Sequence, residues 1–217
     1  MTSEEYRMAT EIEIKLAFEK GFNEPQIKAL ESVLKRLACD YLISKKELEN
    51  AYFDTPEFLL NKHKVALRIR KKMNDHGSAM FIQTFKTAGY SVNGLSQRGE
   101  WEWVLPENSL NLDELQQCEA WPKEISLDSL VAVFETNFTR YLANINWGDS
   151  KVELVLDWGY IISGGKQEKI HEIELELKHG NQDDLKSLSE QLKKYLPLFA
   201  SDTSKAERGF KLFKSFT

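Results

Sequence analysis

"EIEIKLAF", Glu11 to Phe18, is the stretch whose reading decides the fold. On a strand, side chains alternate between faces. Glu11, Glu13 and Lys15 then share one face, and Ile12, Ile14 and Leu16 share the other. The pattern recurs along the chain. In "VALRIRKK", Arg68 and Arg70 oppose Leu67 and Ile69; in "GEWEWVL", Glu100 and Glu102 oppose Trp101 and Trp103. In "KVELVLDWG", Lys151, Glu153 and Asp157 oppose Val152, Leu154 and Leu156. In "HEIELELK", Glu172, Glu174, Glu176 and Lys178 oppose Ile173, Leu175 and Leu177. Lys86 in "TFK" and Arg140 in "FTR" add charge on further strands. A sheet with one wet face also alternates. Repeated E-x-E pairs and arginines are an unusual wet face, because adjacent like charges repel unless a cation or an opposite charge lies across from them.

With "LENAYFDT", "AMFIQTFKT", "TNFTRYLANINW" and the opening run, about eight strands are predicted. Two helices offer one apolar stripe each. The first is "FNEPQIKALESVLKRLACD", with Asn23 as cap, Pro25 in the first turn, Gln26 at capping-box spacing, and Ile27, Leu30, Leu34 and Leu37 on one side. The second is "QDDLKSLSEQLKKYLP", with Leu185, Leu188, Leu192 and Tyr195. "SKAERGFKLFKSF" reads as a last short helix, and 106–134 as an insertion of short helices and loops. The expectation is one α+β domain over 1–217: a closed eight-stranded antiparallel barrel, helices outside on the apolar faces, charged faces inward.

Bulk properties narrow the function. The chain has 217 residues and a net charge of -5, which argues against a basic nucleic-acid-binding surface. Its two cysteines, Cys39 and Cys118, lack metal-ligand spacing and read as reduced thiols of a cytoplasmic protein. "MTSEEYRMATEIEIK" has no basic region followed by an apolar run, so no secretory signal is expected, and no stretch approaches the length of a membrane span. His63, His76, His171 and His179 are not spaced as ligands and are expected at the surface.

A lumen lined by Lys15, Arg68, Arg70, Lys86, Arg140 and also Arg98 and Lys205 would repel itself unless it held a polyanion. Arginine's planar fork suits phosphate oxygens. Clustered carboxylates (Glu11, Glu13, Glu100, Glu102, Asp157, Glu172, Glu174 and Glu176) without histidine or cysteine favour Mg²⁺ or Mn²⁺. Together they suggest a metal-dependent polyphosphate site. No Walker A motif and no G-x-G-x-x-G occurs.

In order along the chain, "EIEIK", "YFDTP", "LRIR", "FKTAG", "QRGEWEW", "FTRY", "LDWG", "HEIELEL" and "SKAERGF" resemble the motifs of the CYTH superfamily, the triphosphate tunnel metalloenzymes. The likeness is greatest to the CYTH domain of bacterial inorganic triphosphatases that carry a second, helical CHAD domain. That second domain has no counterpart here, so the resemblance implies a stand-alone version or a truncated one. It also implies an eight-stranded tunnel. Lys15, Arg68, Arg70, Lys86, Arg98, Arg140 and Lys205 would clamp the triphosphate. Glu11, Glu13, Asp157 and two of the three late glutamates would hold metal, either Glu172 with Glu174 or Glu174 with Glu176. Glu100 and Glu102 would support them. Lys15, Glu13 and Arg140 would be catalytic, with Lys15 orienting or activating the water. The implied reaction is hydrolysis of inorganic triphosphate to pyrophosphate and phosphate. Cyclisation of ATP to cyclic AMP, thiamine triphosphate hydrolysis and a binding-only polyphosphate or nucleotide module are the alternatives.

Overall fold

The computed structural model describes residues 7–19, 24–74 and 76–215. Among them lie ten strands: β1 (Arg7–Phe18), β2 (Ser44–Asp54), β3 (Ala66–Met73), β4 (Ala79–Lys86), β5 (Tyr90–Val92), β6 (Leu95–Leu105), β7 (Val131–Trp147), β8 (Ser150–Ser163), β9 (Lys166–His179) and β10 (Leu198–Ala200). The helices are α1 (Ile27–Arg36), α2 (Leu59–Lys62), α3 (Leu112–Gln117), α4 (Gln182–Tyr195) and α5 (Lys205–Lys214). No helix among the described residues is long and apolar enough to cross a membrane.

Eight strands close into an antiparallel ring, β1-β9-β8-β7-β2-β3-β4-β6, and β6 returns to β1 with Ile14 opposite Leu95 and Glu11 opposite Arg98. The short strands β5 and β10 are additions at the rim. β1 changes partner at Lys15, leaving β6 and taking β10. There the Lys15 N–H donates to Gly94 O at 2.9 Å, and the Ser201 N–H donates to Lys15 O at 3.0 Å.

The apolar faces point outward and are covered. Ile14, Leu16, Leu154, Leu156, Ile173 and Leu175 pack under Leu30 and Leu34 of α1 and Leu185, Leu188 and Leu192 of α4. Leu67, Phe85 and Trp103 pack under Leu115, Cys118, Trp121 and Ile125 of the insertion. The insertion is pinned by Gln83, fully buried, whose amide exchanges hydrogen bonds with the Asn111 backbone at 2.9 and 3.2 Å. Burial of such side chains stabilises by about 1.5–3 kcal/mol each, which fixes the strand register and sends the polar faces inward.

α5 plugs one end of the barrel, its Phe210 set edge-on to Phe134 with ring centroids 5.0 Å apart, among Phe138, Ile161 and Ile170. Ser204 and Glu207 form a capping box that starts it. Gly209 is required by the close approach, since a Cβ there would lie 2.1 Å from Phe134 Cε2.

Other local expectations shift. α1 begins at Ile27, so Pro25 precedes the helix; Gln26 makes no side-chain cap and donates instead to Glu24 O at 3.2 Å, while Asn23 lies outside the described residues. Tyr195 is exposed, with Arg36 over its ring at 4.9 Å. The insertion ends at 130, because Val131 already pairs with Asp54. Asp54, in "YFDTP", accepts from the Thr55, Leu60 and Asn61 N–H groups at 2.7–2.9 Å and so knits the turn into α2. His171 is half-buried rather than freely exposed: it stacks on Phe18 with ring centroids 4.0 Å apart and meets Trp158 edge-on.

Candidate active site

Period-2 geometry delivers the charged faces to one cavity of about 320 Å³. Glu11, Glu13, Lys15, Arg68, Arg70, Lys86, Arg98, Glu100, Glu102, Arg140, Glu174, Glu176 and Lys205 all line it. Asp157 and Glu172 do not; they lie behind Lys205, almost wholly buried. Lys46, Lys72, Glu153 and Lys178 complete the charged lining, giving ten basic side chains against seven glutamates. The ring order sets β9, with Glu174 and Glu176, across from β3, with Arg68 and Arg70.

The acidic wall is partly neutralised. Glu11 accepts from Lys86 at 2.6 Å and from Arg98 at 2.7 Å. Burial opposes its charge, but those two cations outweigh burial and hold its carboxyl far below the usual range. Glu13, 4 % exposed, meets Arg98 at 3.4 Å and Lys15 at 3.5 Å. Lys15, 5 % exposed, also meets Glu174 at 3.6 Å. Burial would discharge its amine, yet Glu13, Glu174 and Glu172 together raise it above the ordinary lysine value. Glu176 differs: burial, with help from Glu11 and Glu153, pushes its carboxyl up against the pull of Lys178.

At the plugged end, Arg140 forks onto Asp157 at 2.8 and 2.7 Å and onto Glu174 at 3.0 Å. α5 supplies Lys205, which bonds Asp157 at 2.8 Å, Glu174 at 3.0 Å and Glu172 closely, and Arg208, which bonds Glu172 at 3.1 Å. Burial opposes the charges of Asp157, Glu174 and Lys205, but their mutual attraction prevails: both carboxyls lie below and the amine above the ordinary values. Asp157, Glu172 and Glu174 offer oxygens within 4.8 Å of one another. A metal there would have to displace the Lys205 ammonium.

The basic wall has no carboxylate in direct contact among the described residues, although burial is outweighed at Arg68 by Tyr52, Glu100 and Glu102, which hold its guanidinium above the ordinary value. Neither Arg68 nor Arg70 has a carboxylate within 4 Å among the described residues. The buried Arg68 Nε has no hydrogen-bond partner, and Arg70 Nε donates only to Asn50 Oδ1 at 2.8 Å. Burial, and then repulsion from Arg68 and Arg140, pulls the Arg70 guanidinium down to about 9. Tyr52 lies beside them; burial disfavours its phenolate, but Arg68 and Arg70 outweigh that and lower its hydroxyl.

A second cavity of about 550 Å³ adjoins the first at Glu13, Lys15, Lys86 and Arg98 and is walled by Val65, Tyr90, Ser96, Gln97 and Phe210. Asp202 ties its rim together. Its carboxylate accepts from Ser91 Oγ at 2.7 Å and the Gly94 N–H at 2.8 Å, beside the two backbone bonds that hold Lys15.

Lys46 escapes sequence reading because its strand looks as though it begins near Leu48, and lysine on a strand end resembles ordinary surface charge. Lys72 was recoverable, since it lies two residues beyond Arg70 on the same face. Tyr52 also shares the inward face, two residues from Asn50.

Comparisons with known proteins bear on the fold and the family. The profile of the CYTH domain matches residues 9–210. An inorganic triphosphatase of Haemophilus influenzae is 34% identical over 208 residues, which make up 94% of this chain and 55% of that protein. The chain thus spans about half the length of the curated relative it matches. Among solved structures, a Hippeastrum adenylyl cyclase candidate with a dominant triphosphatase activity superposes with a TM-score of 0.61 at 22% identity, covering 95% of this chain and 96% of that one. The protein PH1819 of Pyrococcus horikoshii OT3 gives 0.56 at 22% identity, covering 93% and 99%. At those identities the likeness is one of fold. With the family profile spanning nearly its whole length, the chain belongs to the CYTH domain family.

Proposed function

We propose that the chain hydrolyses inorganic triphosphate to pyrophosphate and phosphate with Mg²⁺ or Mn²⁺. The observation that carries this reading is the pair Arg68 and Arg70, half-buried cations with no carboxylate within 4 Å among the described residues, set across the barrel from Glu174 and Glu176. Charge drawn partly out of water is costly unless a close counter-charge meets it, and a polyanion would supply one. The H. influenzae relative supports the inorganic substrate.

Among the described residues the cavity is lined by seven glutamates and by no histidine or cysteine, which fits a hard divalent ion. Glu13 and Glu176 are opposite each other in the β1–β9 ladder, with Glu174 two residues along; these, with Glu11, are the carboxylates that would hold it. Asp157 and Glu172 would act instead by holding Lys205 and Arg140 in place. When bound, the ion would screen phosphate charge and acidify a water. Arg68 and Arg70 would grip phosphate oxygens through their forks, with Lys86, Arg98, Arg140 and Lys205 completing the clamp. Lys15, kept protonated between Glu13 and Glu174, would donate to the attacked phosphoryl group or orient the water, and its raised amine makes it a poor base. Water oxygen attacks the terminal phosphorus, the bridging P–O bond breaks, and pyrophosphate leaves. Such a step depends mainly on positioning and charge stabilisation.

The adjoining 550 Å³ cavity favours a second reading, an organic triphosphate such as ATP or thiamine triphosphate. Phosphate release from triphosphate, ATP and thiamine triphosphate with Mg²⁺ or Mn²⁺, beside a cyclic AMP assay, separates them. Cyclic AMP formation without triphosphate hydrolysis would overturn the proposal. Glu13→Gln should lose about 10²–10³ in turnover, the scale of one electrostatic group at a reacting centre, with the fold intact. Unchanged turnover would remove Glu13 from the site.

A further inference from the structure

The end of the barrel opposite α5 carries cations that no part of the central clamp explains. Lys46 and Lys72 line the cavity on β2 and β3. Lys72 pairs with Leu48 across the ladder, so Lys46 is its diagonal neighbour on the same inward face. Lys46 in turn lies directly opposite Arg140. Neither lysine has a carboxylate within 4 Å among the described residues, although Lys178 on the same rim is paired with Glu176 at 2.6 Å. Their outward-facing neighbours behave differently. Lys45 is paired with Glu47, and Lys71 with Glu49, each at 3.0 Å. On the same two strands, then, the outer lysines have carboxylate partners, while Lys46, exposed at the rim, and Lys72, half-buried below it, have none within 4 Å among the described residues. Crowding is visible at Lys72, whose amine is held below the ordinary lysine value by burial and then by Lys46 and Arg70. Three like charges, Lys46, Lys72 and Arg70, are thus gathered towards one mouth with no carboxylate within 4 Å among the described residues, whereas Arg140 deeper in the barrel is neutralised by Asp157 and Glu174.

We infer that Lys46 and Lys72 form an anion-capture subsite at the open mouth, which takes the leading phosphate of a linear polyphosphate before it reaches Arg68 and Arg70. From Arg68 to Lys72 is about 13 Å along the strand, so the subsite lies beyond the inner arginine. A mouth lined by one sign of charge between low-dielectric walls concentrates an oppositely charged ligand and speeds its entry. The inference rests on the triphosphatase reading for the identity of the anion, but not for its test.

That test is the binding of tripolyphosphate by calorimetry in EDTA, which removes turnover from the question. Lys46→Gln with Lys72→Gln should weaken affinity about threefold per lysine, near tenfold together, and flatten its salt dependence. Lys45→Gln with Lys71→Gln removes the same charge from the opposite face of the same strands and should leave affinity unchanged. Equal loss in both double variants, or none in the inner one, overturns the subsite. A metal-supplemented assay run in parallel bears on the other question alone: a protein that binds as predicted yet releases no phosphate keeps the subsite and loses the triphosphatase.

Discussion

Replacing Lys205 by methionine removes one ammonium and little volume. Its Nζ is the shared partner of Asp157, Glu172 and Glu174, and the residue is only 7 % exposed. The three carboxylates left behind have oxygens within 4.8 Å of one another. At an effective dielectric near 20, two unit charges ~4 Å apart repel by ~4 kcal/mol. Arg140 and Arg208 still offset part of this, so the net cost should be that of breaking one buried ion group, about 3–5 kcal/mol. For a chain of this size each kcal/mol lowers Tm by about 2–4 °C, so a fall of roughly 6–20 °C is expected. The pH dependence has a definite sign. In the native protein the Asp157 and Glu174 carboxyls are depressed, so their stabilisation is present above the ordinary carboxylate range and lost as pH falls through it. The Lys205 amine is raised, so its contribution is full throughout that window. In the variant the crowded carboxylates would take up protons in mild acid, and the stability gap should narrow from about pH 7.5 to about pH 5. Millimolar Mn²⁺ should narrow it as well, by replacing the lost cation. Thermal melts of both proteins at the two pH values, with EDTA or Mn²⁺, measure all of this. A Tm within about 2 °C of the native value at pH 7.5, or a gap that widens in acid, would refute the view that Lys205 neutralises this cluster.

Three further outcomes are open to measurement. Gly209→Ala would gain about 1 kcal/mol of helix propensity but force a Cβ against the Phe134 ring, so chemical denaturation should show a net loss of about 1–3 kcal/mol; a stabilised variant would mean that α5 is loosely seated. His171 has its imidazole pushed down from 6.5 to about 4 by burial and Lys169, so it contributes stability above the upper value that is lost as pH falls towards the lower one. His171→Phe should flatten the acid dependence in that window, and an unchanged pH profile would count against it. Asp202→Ala should release the turn beside Lys15 and lower turnover about tenfold with little change in Tm, with Asp202→Asn recovering part through its remaining amide oxygen; equal turnover in all three proteins would mean that Lys15 needs no such support.

The barrel was legible because its inside is charged. Period-2 alternation names the inward residues one by one, and Glu11, Glu13, Arg68, Arg70 and Glu174 all line the cavity as the alternation predicts. What alternation cannot show is depth. Glu172, Glu174 and Glu176 share a face, yet Glu172 is closed off behind Lys205 and Arg208 while Glu176 faces the open end. That difference depends on α5 closing one end of the barrel, which in turn depends on the fit of Gly209 against Phe134, a contact between distant parts of the chain. Strands β5 and β10, three residues each, are too short to give a period. The outward tryptophans, by contrast, were readable as packing: Trp103 is buried against the insertion.

The exchange of partners along β1 bears on how the molecule assembles. β1 is made first but must pair with β6, β9 and β10, which are made much later, so the ring cannot close until the end of the chain is available. Such long-range closure is the slow kind of step in folding. The insertion cluster around Trp103 and Trp121 draws on β2, α2, β3, β4, β6 and the insertion, with no residue of β1, and is expected to form without it. Refolding should therefore restore the fluorescence of Trp103 and Trp121 before the proposed triphosphatase activity, because Glu11, Glu13 and Lys15 ride on the strand that completes the ring. Simultaneous recovery of the two signals would show instead that β1 docks early.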